Sequence, residues 1–148
     1  MSIEEKRPIV SIMSNLLTFW VYYTIVFDIY NQGSYTMSEE LKFWAAVILI
    51  LIPVLIVSKI VLYIIFSIVN TIFTGEHEKF LTDEFGRLIE ARSTRNFYNV
   101  FMAGFLLALV AAVLGMSLTI MFNVFLFSIL GAGIVLDISQ LYYLRKGI

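Results

Sequence analysis

Residues 74–96 read TGEHEKFLTDEFGRLIEARSTRN, the one long polar stretch inside the chain. On each side of it lies enough apolar sequence for a pair of membrane spans, since about 20 residues of helix cross a bilayer core. The segmentation predicts an all-α polytopic membrane protein. Four transmembrane helices form two hairpins, and a cytoplasmic connector helix in residues 74–96 joins them. Residues 1–148 make one membrane domain.

Composition supports lipid as the solvent. Of the 148 residues, 60% are hydrophobic and 14% charged, against about 45–50% and roughly 25% in soluble domains. A small soluble domain keeps too much surface in water to hide that excess. A net charge of -1 gives no field to recruit nucleic acid. The absence of cysteine excludes disulfides and thiolate metal ligands.

Residues 1–8 form a short polar tail, with Pro8 suited to the first turn of a helix. The first span covers residues 9–30. It is too long for a cleaved signal sequence and is followed by no small-residue cleavage site. Residues 31–40 are a loop turning at Gly33, and Ser38 before Glu39 and Glu40 marks the next helix start. The second span covers residues 42–64, with a helical extension to residue 73. The apolar run 41–73 would reach about 48 Å as one helix, beyond a core of about 30 Å. It must tilt, kink or project, and Pro53 gives a reason to kink.

In the connector, Thr82 can cap a helix whose first turn holds Asp83 and Glu84. Asp83 and Arg87 are spaced to pair. Leu81, Phe85, Leu88 and Ile89 share one face, while Glu84, Arg87 and Glu90 lie elsewhere. That pattern suits a helix lying on the membrane surface, or a solvated helix packed beneath the bundle. The third span covers 97–114 and the fourth 118–143, separated by a tight turn at Gly115, Met116 and Ser117. Gly104, Ala108 and Ala112 recur every four residues, as do Ala111 and Gly115, so helix backbones can approach closely there. The face serves dimerisation or packing within the monomer.

Lys6, Arg7, Lys79, Arg87, Arg92, Arg95, Arg145 and Lys146 fall on one side of this arrangement, and only Lys42 on the other. The positive-inside rule then places both termini and the connector in the cytoplasm.

The connector also carries a resemblance. Asp83-Glu84 open a helix, Leu88-Ile89-Glu90 follow, then Ala91-Arg92-Ser93, with Tyr98 at the start of the next span. This resembles a group of small bacterial four-span inner-membrane proteins of unknown function. Their pattern has Arg directly after the Asp-Glu pair, where this chain has Phe85 and a basic residue only at Arg87. The similarity covers about the last 65 residues. It implies the four-span architecture and a bacterial inner membrane, and no mechanism.

Charge within a span is a functional candidate, because it costs about 2.5–3.5 kcal/mol on the gentlest scale. Asp28, Lys59 and Asp137 qualify. Lys59 and Asp137 lie at similar depth and are expected to pair across the bundle, or else to reach the headgroups separately. Asp28 is interfacial. Ser11, Ser14, Asn15, Thr18, Ser58, Asn70, Thr119 and Asn123 line a path or bond to neighbouring helices. His77 between Glu76 and Glu78 reads as solvated, and no metal site or cofactor is expected. No catalytic constellation is legible, so the expectation is a non-enzymatic protein. It acts as an accessory, regulatory or immunity-type protein through helix contacts, with a membrane-protein partner or a second copy of itself in the lipid bilayer. The alternative is a small oligomeric transporter or channel using Lys59 and Asp137.

Overall fold

The computed structural model describes residues 3–75 and 84–147. Four helices account for nearly all of them: α1 (Ile3–Gln32), α2 (Met37–Thr74), α3 (Glu84–Val113) and α4 (Leu118–Lys146). All four are long and apolar enough to cross a membrane. Asp83, Thr82, Leu81 and His77 lie outside the described residues.

Local chemistry sets the helix ends. α2 starts two residues earlier than Ser38 suggests, because Thr36 is the cap. The Glu39 carboxylate accepts from the Thr36 N–H at 2.8 Å and from its hydroxyl at 2.7 Å. This half of a capping box satisfies a donor at the helix start. α3 ends in a Schellman turn: Met116 N–H donates to Ala111 C=O and Gly115 N–H to Ala112 C=O, both at 3.1 Å. That turn needs a left-handed residue, and Gly115 supplies it at φ 74°, a conformation costly for a residue with a Cβ. Ser117 then caps α4 by accepting from Ile120 N–H.

Two helices run farther than sequence punctuation implies. α1 begins at Ile3 and passes through Pro8, so Pro8 lies in its second turn. α3 is continuous from Glu84 to Val113. Its connector portion prolongs the third span as one rod and does not turn onto a membrane surface. Nothing between Asn96 and Phe97 breaks a helix, and Ile89 and Ser93 are buried. Leu88 and Phe85 stay exposed, so the apolar face is split.

α4 is the central post. α3 packs closely on α4, α1 packs on α4 and α2, and α2 touches α4 lightly. Among the described residues, the backbone of α3 approaches neither α1 nor α2. The apolar core lies between α1, α2 and α4, where Phe19, Val26, Trp44, Val47, Leu51 and Leu126 are buried together.

The small-residue face divides. Gly104, Ala108 and Ala111 are buried, whereas Ala112 and Gly115 are exposed. A Cβ at Gly104 would run into the side chain of Ser128. Glycine is therefore required there by the closeness of α3 to α4. Ser128 itself turns its hydroxyl to Val124 C=O at 2.6 Å.

Candidate functional site

Polar side chains inside the bundle gather in two layers. The first lies at the end bearing the Gly33 and Gly115 turns. Tyr30 donates to Glu40 Oε1 at 3.0 Å, and the Tyr30 and Thr119 hydroxyls are 2.8 Å apart. Thr119 also donates to Glu40, and Trp44 Nε1–H donates to Thr119 at 3.3 Å. This knot ties α1, α2 and α4. One turn away, Tyr23 donates to Asn123 Oδ1 at 2.7 Å.

The second layer lies toward the end bearing the chain termini. Asp137 of α4 is 1% exposed. Its Oδ2 accepts from Ser11 Oγ at 2.7 Å and from Asn15 Nδ2 at 2.9 Å, both on α1. Ser11, Ser14 and Asn15 share a helix face because three- and four-residue spacings align. Ser14 Oγ is buried there without a hydrogen-bond partner among the described residues.

Lys59 is near enough for its charge to act on Asp137. Among the described residues it makes no ion pair with that carboxylate. The two expected partners are thus neighbours, and Ser11 and Asn15 take the contacts a lysine would have made. Lys59 instead faces a cleft of about 410 Å³. Ile52 and Leu55 of α2 form one wall, Phe97 and Phe101 of α3 another, and Phe125 of α4 a third. Asn15 and Gly133 also line it, and a Cβ on Gly133 would stand 3.4 Å from Asn15 Nδ2. The cleft exists because α3 rests on α4 without reaching α2.

Between the layers, Phe19, Leu51 and Leu126 are buried at 5%, 0% and 1% exposure. Within that zone Tyr22 donates to Val47 C=O, and no hydrogen bond among the described residues links one polar layer to the other. Asp28 is exposed one turn before the end of α1 and remains apart from both layers. Glu84, Arg87, Glu90 and Arg92 are exposed on α3, with Arg92 6.0 Å from the Tyr143 ring. Asn96 donates to Ser139 Oγ at 3.0 Å and fixes this part of α3 to α4.

Sequence reading singles out Ser11, Asn15 and Thr119 as polar residues in spans but does not tie them to Asp137 or Glu40. Separations of 126, 122 and 79 residues hide those ties. The usable signal is depth: the partners sit at similar distances along their helices, within about one turn of each other. No family model matches the chain, no curated protein matches it, and no solved structure matches it.

Proposed function

We propose that this chain is a non-enzymatic accessory or regulatory protein of a bacterial inner membrane, acting through helix contacts with another integral membrane protein. In this reading α1–α2 and α3–α4 are two hairpins joined by a cytoplasmic connector, with both termini in the cytoplasm, as the distribution of basic residues supports.

The observation that carries the proposal is an apolar surplus on α2. Tyr22 donates to Val47 C=O at 2.6 Å, and Tyr30 donates to Glu40. These two bonds fix an antiparallel register between α1 and α2. Continued along the helices, that register sets Ile9, where the apolar part of α1 starts, level with about Val61. The rest of α2 runs beside and past the charged tail of α1, yet stays apolar to Phe73. Ile68, Ile72 and Phe73 are 56%, 74% and 84% exposed. Tilting the whole bundle cannot submerge this segment without also burying Glu4, Glu5, Lys6 and Arg7. A row of exposed isoleucines at that level is suited to covering by the helices of a partner.

A transport reading draws on Lys59 beside Asp137. It is supported less well, because the packed zone of Phe19, Leu51 and Leu126 leaves one copy without a polar path. The test is a photo-crosslinking amino acid placed at Ile68 or Ile72 of the tagged chain in its native host. Capture of one stoichiometric membrane protein from those sites, and not from Leu49, is the expected result. Capture of further copies of this chain alone would overturn the accessory reading and favour an oligomeric channel.

A further inference from the structure

The Lys59 cleft has a chemistry of its own, and it does not depend on which partner covers α2. Its walls are mostly apolar, and among the described residues Lys59 is the one charged side chain lining it. Among the described residues no carboxylate lines the cleft, and the Asp137 carboxylate is engaged by Ser11 and Asn15. An unpaired cation in such a place calls for an anion carried on an apolar body. The volume falls in the range of about 300–1,000 Å³ that small ligands occupy.

Depth identifies the class of ligand. Lys59 stands 19 residues from Glu40, and Ser11 stands 19 from Tyr30. Both spans are about 28 Å at 1.5 Å per residue, close to the hydrocarbon thickness of about 30 Å. If the Tyr30–Glu40–Thr119 knot marks one face of the hydrocarbon, Lys59 marks the other. Ile56, Ile52 and Ile48 then climb from Lys59 into the core, opposite Phe101 and Phe125. The cleft opens sideways, since the α3 backbone does not approach α2.

We infer that this cleft is a binding site for an anionic phospholipid of the leaflet on the side of the chain termini. The lipid phosphate meets the Lys59 ammonium, and one acyl chain lies between α2 and the aromatic wall of α3 and α4. Charge complementarity selects the headgroup, and the level of Lys59 selects the leaflet. Basic pockets between transmembrane helices bind anionic headgroups in this way.

The test is native mass spectrometry of the full chain offered equal amounts of dioleoyl phosphatidylglycerol and dioleoyl phosphatidylcholine. The wild-type chain is expected to retain the anionic lipid about fivefold over the zwitterionic one, the effect of one lysine near a membrane surface. Lys59→Met should erase the preference, while Lys59→Arg and the control Lys42→Met should keep it. Ile52→Trp retains the lysine but fills the cleft, and should release both lipids even if Lys59→Met fails to fold. Circular dichroism checks the helicity of each variant. An unchanged preference in folded Lys59→Met, or undiminished lipid in folded Ile52→Trp, would overturn the assignment. So would stronger retention of oleate than of the phospholipid, which would make the ligand a free fatty acid.

Discussion

Asp137 shows how a buried acid can be held without a basic partner. Two donors from one turn of α1 reach a single carboxyl oxygen, and a hydrogen bond to such a group is worth about 1–3 kcal/mol. Asn15→Leu should therefore destabilise the chain by about 1–3 kcal/mol, and Ser11→Ala by less, since serine leaves the smaller unsatisfied surface. Unfolding in bicelles measures both. The same geometry bears on Lys59. Without ion-pair contact, Lys59→Met and Asp137→Asn should cost nearly additive amounts in a double-mutant cycle. A coupling above about 2 kcal/mol would instead mean that the two residues pair directly. The sequence offers both charges and their common depth, and from these a pair is the natural expectation. It does not show that Ser11 and Asn15 reach the carboxylate first, because that depends on how α1 is rotated against α4.

Among elements, the contact of α3 with α4 is the tightest constraint. The four-residue recurrence of Gly104, Ala108 and Ala112 marks a close-packing face in the sequence alone, and the structure keeps Gly104 and Ala108 in it but puts Ala111 there in place of Ala112. Which residue they meet is not legible, because Ser128 has no pattern of its own. Gly104→Ala should cost about 1–3 kcal/mol by overpacking, and Ser128→Gly should recover part of that loss. If the two changes simply add, the close approach lies elsewhere. Helix number and approximate ends follow from apolar run length and turn residues. The continuity of α3 through Asn96 does not, because a charged segment can equally lie on a surface or prolong a rod. Burial of Ile89 and Ser93 against the neighbouring helix decides between them.

At the scale of the whole molecule, the proposed orientation rests on the distribution of the basic residues and predicts which positions are reached from outside. The chain lacks cysteine, so a single introduced thiol reports its side without background. Tyr35→Cys and Met116→Cys should label in intact cells, while Arg145→Cys should label only after the membrane is opened. Labelling of Arg145→Cys in intact cells would reverse the orientation and, with it, the leaflet served by Lys59.

The central place of α4 governs how the protein comes to exist. Synthesis proceeds from the N-terminus at about 5–20 residues per second, so α1, α2 and α3 are made before the helix that joins them. Until α4 arrives, Ser11 and Asn15 have no carboxylate to bind and α3 has no neighbour to lean on. Maturation is thus completed late: in a product stalled before residue 118, α1 and α2 can already pair through the Tyr22–Val47 and Tyr30–Glu40 bonds, while α3 is left without its partner and open to membrane quality control.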